Sequence, residues 1–157
     1  MIFDHVFPNS DIISLISARL IQLSTNDSIL LLHPSAEIGM PTNSCGLFSS
    51  VEIFNQLQLE PLPNSMNISA SSLRSEWFEK HLAIVLANNG AKISTRAKFI
   101  QTSSNTGEIR GSTSLKGEIS FDFLHDISIP ESNSHQWYCY IHSDSPPPEI
   151  SIFSRRY

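Results

Sequence analysis

Cysteine, glycine and basic residues are all sparse in this sequence, and each scarcity removes a class of function. Two cysteines, Cys45 and Cys139, in 157 residues supply neither a CxxC pair nor a metal spacing, which points to a reduced, cytoplasmic chain. The six His are scattered without an HExxH pattern, so no metal site is expected. Lys and Arg number 10 against 15 Asp and Glu, a formal net charge of -5. The densest basic pair is Arg155-Arg156. A general binder of nucleic-acid backbone needs clustered cations, so that class is excluded and no nucleic-acid partner is expected. No apolar run nears the roughly 18 to 20 residues that span a bilayer, so no transmembrane segment is expected. The N-terminus lacks the basic residues and small-residue cleavage site of a secretory signal. The six glycines begin only at Gly39, so the opening stretch has none.

What is present is enough apolar material, 40% of residues, to bury a core without covalent cross-links at this length. Ile2 to Phe7 reads as a short strand. Pro8-Asn9-Ser10-Asp11 is turn chemistry with three good helix N-cap types in succession. From Ile12 to Leu23 the apolar residues recur at helical spacing, with Arg19 and Gln22 marking the polar side. Ser28 to His33 is a near-continuous apolar strand. Lack of alternation is the mark of a strand buried on both faces, as in a helix-covered parallel sheet. Strand, helix and strand together make a βαβ unit.

Beyond it, Pro34 to Ser50 reads as loop and Val51 to Leu59 as a short helix. Met66 to Ser69 reads as a short strand. Ser71 or Ser72 is the expected cap of the longest helix, Leu73 to Asn89, with Gly90 suited to its C-terminal end. Ala91 to Thr95 is a strand. Ala97 to Thr102, Glu108 to Thr113 and Gly117 to Leu124 are strand-like segments parted by Asn105-Thr106-Gly107 and Leu115-Lys116, an antiparallel meander beside the parallel layer. Trp137 to Ile141 and Ile150 to Phe153 are further strand candidates, separated by Pro146-Pro147-Pro148.

Taken in order, several segments resemble one family. His33-Pro34-Ser35-Ala36-Glu37-Ile38-Gly39-Met40-Pro41 and Ser44-Cys45-Gly46-Leu47-Phe48-Ser49 resemble a stretch of the geranylgeranyl reductase type of flavoprotein, within the wider group of FAD-dependent monooxygenase-like oxidoreductases. Ser72 to Ala83 resembles that family's Arg-containing helix start, and Asn89-Gly90-Ala91-Lys92-Ile93 its step into the next strand. Gly117 to Asp126 is placed like the strand before its Asp-Gly motif. The resemblance implies a Rossmann-like FAD/NAD(P)-binding βαβ layer with an antiparallel meander and a partial substrate-binding sheet. It implies two parts: a degenerate nucleotide-binding domain over 1–128 and the start of a substrate-domain-like β segment over 129–157. Family members run much longer.

The resemblance also assigns candidate cofactor-binding positions. In a Gly-x-Gly-x-x-Gly turn the glycines make the turn, admit the pyrophosphate and let the helix pack closely. Aligned through the helix, those positions are Asn9, Asp11 and Ser14. Asn9 tolerates a left-handed turn, and Ser14 is small. Asp11 is the damaging change, since its carboxylate sits where the pyrophosphate should meet the helix N-terminus. The acidic residue that bonds the ribose falls at His33, which reads equally as a solvent-facing strand end. Arg74 matches the family's flavin-facing arginine, or is a helix-start arginine paired with Glu76 or Glu79. Cys45 lies in the loop that the family passes near the isoalloxazine, without a visible activating neighbour. Trp137, Tyr138 and Tyr140 would line a lipid-like pocket or simply pack. Asp122 and Asp126 flank a strand end without forming a defensible acid pair.

Three functions follow as expectations. The first is an oxidoreductase-like protein whose FAD binding is weakened or lost, acting as a non-catalytic or partner-dependent subunit, a pseudoenzyme. The second is a genuine FAD-dependent reductase or monooxygenase of isoprenoid or lipid-like substrates, completed by a protein partner that supplies the missing C-terminal part. The third is an unrelated α/β binding module.

Overall fold

The computed structural model describes residues 1–39, 45–47, 52–59, 72–112 and 114–127. Strand β1 (Ile2–Phe7), helix α1 (Ile12–Ser24) and strand β2 (Ile29–His33) form the expected βαβ unit. The two strands pair in parallel, with His5 opposite Ile29 and Phe7 opposite Leu31. Then come β3 (Cys45–Leu47), α2 (Glu52–Gln56), β4 (Ser72–Arg74), α3 (Ser75–Asn88), β5 (Lys92–Thr95), β6 (Lys98–Gln101), β7 (Thr106–Arg110) and β8 (Gly117–Leu124). One six-stranded sheet runs β5-β2-β1-β8-β7-β6, and β3 and β4 make a separate antiparallel pair. The fold is α/β, with a parallel layer of β5, β2, β1 and β8 joined to an antiparallel meander.

The alternation of side chains along β2 accounts for its unbroken hydrophobicity. Ile29 and Leu31 enter one apolar cluster with Leu15 and Ala18 of α1 and Phe78, Leu82 and Leu86 of α3. Leu30 and Leu32 enter a second with Ala97, Ile109 of β7, and Ile119 and Phe121 of β8. Helices therefore cover one face of the parallel layer and the meander covers the other, and both faces of β2 are dry.

Strand β8 belongs to both layers. Its first half pairs antiparallel with β7, Gly117 opposite Ile109 and Ser120 opposite Thr106. Its second half pairs parallel with β1, Ser120 opposite Ile2 and Leu124 opposite Val6.

Four local expectations change. Leu73 does not begin the long helix: Ser72–Arg74 is extended and pairs with Cys45–Leu47, a remote partner that helical periodicity cannot reveal, and α3 starts at Ser75. The same pairing places a strand inside the expected loop Pro34 to Ser50. Thr106 and Gly107 lie within β7 and not in a turn. The Phe99 ring of β6 lies over Gly107, so a side chain there would have to displace it. Arg19 is buried and does not mark a polar face. Its Nε donates to the Leu57 carbonyl at 2.9 Å and its guanidinium also donates to Gln22 Oε1 at 2.8 Å. The candidates Met66 to Ser69, Trp137 to Ile141 and Ile150 to Phe153 lie outside the described residues, as does the proposed segment 129–157.

Candidate functional site

The C-terminal ends of the parallel strands are where open α/β sheets bind ligands, at the point where strand order reverses. Here the chain moves outward from β1 to β2 and β5, then returns to β8 on the other side of β1. A crevice of about 350 Å³ lies at that point. Pro8 and Asn9 after β1, Pro34 after β2, and Leu124 and Asp126 at the end of β8 line it. Lys98, Phe99 and Gln101 close it from the meander. Its size is at the lower end of ligand pockets, and it combines an aromatic ring with a few polar groups.

The turn from β1 into α1 supplies the next feature. Asp11 is the N-cap of α1, in extended backbone conformation. Its Oδ1 accepts the Ser14 N–H at 2.8 Å, and its carbonyl accepts the Leu15 N–H at 2.9 Å. The helix N-terminus is thus met by a carboxylate of the chain itself. The charge of Asp11 also acts on a carboxylate of α3. Burial holds the Glu79 carboxyl above its usual range, and the charges of Asp11 and Glu76 push it the same way. Ser14 is buried, and its Oγ has no hydrogen-bond partner among the described residues.

His33 ends β2 beside the same turn. Its Nδ1 shares a hydrogen bond of 2.8 Å with the buried Ser10 hydroxyl, tying the turn to the strand end. Nε2 is buried without a hydrogen bond among the described residues. Burial lowers the proton affinity of this imidazole, partly offset by the Glu37 backbone, so the ring is neutral at physiological pH. Glu37 itself pairs with Lys80 of α3 at 2.9 Å.

Asn9, Asp11, Ser14 and His33 are therefore gathered around one strand-to-helix turn, with Asn9 reaching the crevice. Arg74 stands at the end of β4, its backbone directly opposite Cys45. Sequence reasoning missed Ser10, Glu79, Lys98, Phe99 and Gln101. Ser10 stood inside the recognised turn chemistry and Glu79 inside the segment Ser72 to Ala83, but Lys98, Phe99 and Gln101 come from an element far along the chain with no motif to mark them. Among the described residues no group of three or more His, Cys, Asp and Glu could hold a metal ion. No described helix is long and apolar enough to cross a membrane.

No protein-family model matches the sequence, and no curated protein matches it. Solved structures do match the fold. A geranylgeranyl bacteriochlorophyll reductase-like protein from Thermoplasma acidophilum is similar with a TM-score of 0.62 and 16% identity, over 78% of this chain and 38% of that one. The myxobacterial chondrochloren halogenase CndH, a variant of FAD-dependent halogenases, is similar with a TM-score of 0.61 and 15% identity, over 82% of this chain and 37% of that one. The flavin-dependent monooxygenase PieE, solved with FAD and substrate, gives 0.60 and 12%, over 79% of this chain and 30% of that one. This chain thus spans about a third of the length of these structures. Its α/β fold is the Rossmann-like fold that these structures share.

Proposed function

We infer that this chain is a divergent protein on the FAD-dependent oxidoreductase fold whose flavin binding is weakened or lost. In this reading it acts as a non-catalytic or partner-dependent subunit, with 1–128 as the degenerate nucleotide-binding part and 129–157 opening a substrate-domain-like segment. The observation that carries the reading is the Asp11 carboxylate seated on the N-terminus of α1. A helix N-terminus attracts a pyrophosphate through unpaired N–H groups and a partial positive charge. Here one of those N–H groups is taken and the charge is answered. Glu79 adds a second acidic group within reach of the Asp11 charge. Pro8-Asn9-Ser10 offers none of the glycines that would let a pyrophosphate approach the backbone. The residues present do not fit a dinucleotide pyrophosphate.

One observation favours the second reading, a true FAD-dependent enzyme completed by another chain: the crevice at the strand ends remains open where a ligand would enter the fold. Titration of FAD into the purified protein, followed by flavin fluorescence, separates the two. The expected result is a colourless protein with no saturable binding at micromolar FAD. The triple variant Asn9→Gly, Asp11→Gly, Ser14→Gly, shown by circular dichroism to keep its helices, should recover measurable affinity. Stoichiometric flavin uptake by the unaltered chain would sink the proposed loss.

A further inference from the structure

We propose that His5 and His125 form a proton-sensitive clasp that holds the end of β8 against β1, and with it the Leu124–Asp126 wall of the crevice. The two residues are 120 positions apart in sequence, yet His5 Nδ1 and His125 Nε2 are 2.9 Å apart. On the other side of its ring, His5 Nε2 meets Asp27 Oδ2 at 3.1 Å. The row therefore runs Asp27, His5, His125, from the α1–β2 connection across β1 to the chain leaving β8. Aromatic rings flank it: His5 is stacked on Phe123, with centroids 5.1 Å apart, and His125 on Phe7, 4.5 Å apart. The His125 backbone N–H donates to the Val6 carbonyl at 2.8 Å. Its sequence neighbours Leu124 and Asp126 both line the crevice.

The protons in this row are constrained. An ionised carboxylate only accepts hydrogen bonds, so His5 Nε2 carries the hydrogen that Asp27 receives. In neutral His5 the Nδ1 is then a lone pair, and His125 Nε2–H donates to it. One added proton is tolerated: it enters at His125 Nδ1, the hydrogen of His125 Nε2 shifts to His5 Nδ1, and His5 becomes an imidazolium that donates from Nδ1 to the bare His125 Nε2. A second added proton is not. Both facing nitrogens then carry hydrogens 2.9 Å apart, on two cations, and the bond becomes a repulsion. Asp27 from the α1–β2 connection is the carboxylate that meets His5, while Asp4, its neighbour on β1, accepts hydrogen bonds from Ser28. His125 faces the His5 ring, and burial together with the His5 charge holds its proton affinity below the ordinary imidazole range. The pair thus titrates in two steps, of which the second opens the clasp.

The test is an NMR titration of the imidazole nitrogens, with amide exchange measured on the same samples, from about pH 7.5 to about pH 4.5, across the range in which imidazoles charge. Two coupled steps should appear for His5 and His125. With the second, exchange at the His125 amide, corrected for its intrinsic pH dependence, should accelerate about tenfold or more, and the Leu124 and Asp126 amides should shift. The amides of α1 and α3 should keep their protection. His125→Gln retains a side-chain N–H able to donate to His5 Nδ1 but cannot take a proton, so it should lack the acid-triggered step. Unchanged exchange at His125 through both steps would overturn the clasp. So would equal loosening of α1 and α3, which is general acid unfolding, or acid loosening of His125→Gln to the same extent as the parent.

Discussion

At the first turn of α1 a single carboxylate both caps the helix and fills the place of an anion. The two roles separate by substitution. Asn caps a helix about as well as Asp but carries no charge, whereas Ala removes the cap at a cost of about 1 kcal/mol. Asp11→Asn should therefore leave the thermal midpoint nearly unchanged and raise ADP or FAD affinity by about tenfold, the scale of one relieved charge contact. Asp11→Ala should gain similar affinity but lose stability. Calorimetric titration beside a melting curve reads both; an Asn variant that binds no better would acquit the charge. Glu79 gives a pH signature. Its folded-state pKa is raised by burial and by Asp11 and Glu76. The unfolded chain releases that proton first, so stability is fullest below the ordinary glutamate range and is lost as pH rises through the folded value. Glu79→Gln should then match the parent near pH 4 and exceed it at pH 7, by no more than about 1 kcal/mol after screening of a half-exposed group. Equal stability differences at both pH values would rule this out.

Among the elements, α1 acts as a hub through polar side chains as well as apolar ones. Arg19 donates to the Leu57 carbonyl just beyond α2, and Gln22 donates to the Leu86 and Asn89 carbonyls at the C-terminal end of α3. The Leu86 carbonyl also accepts from the Asn89 and Ala91 N–H groups, so Gln22 adds to the capping of α3 and, with Arg19, ties α1 to the ends of both helices. Arg19→Met keeps much of the volume and removes the donors. It should cost about 2 kcal/mol in urea denaturation, because buried carbonyls are left without partners. A variant as stable as the parent would show that water takes over the guanidinium's bonds. This element also shows where pattern reading stops. Helical spacing identified α1 and its broad apolar stripe, but placed Arg19 on the wet side, since a charged residue is normally solvated. Only the arrival of Leu57, 38 residues later, makes a dry position tenable for it.

At the scale of the whole molecule, the central strands join two apolar clusters into one cooperative body. Leu31 faces the helices and Leu32 the meander, both fully buried. Truncating either to Ala should cost about 2 to 5 kcal/mol. In each variant far-ultraviolet circular dichroism and Trp77 fluorescence should report one common melting transition. Separate transitions would mean that the helical and meander layers unfold independently. The double membership of β8 is the reason for expecting one: meander pairing and parallel pairing share Ser120, so neither layer loses its order without disturbing the other.

Much of this was legible from residue order alone. The opening βαβ unit, the strand before the meander and the three strand-like segments after it follow from period-2 and period-3.6 patterns, which arise between near neighbours. So does the capping chemistry of Asp11, which acts three residues away on Ser14. What tertiary structure alone decided depends on partners remote in sequence. Ser72–Arg74 became strand because Cys45–Leu47 came alongside. Inside β7, Gly107 came to lie beneath the Phe99 ring. The Asp11 charge reached Glu79 of another helix, and His125 met His5 across 120 residues. Short-range periodicity selects which elements form. The pairing of strands and the burial of charge are set by long-range contacts, whereas the carboxylate that fills the glycine-free first turn is set locally, by Asp11 three residues from Ser14.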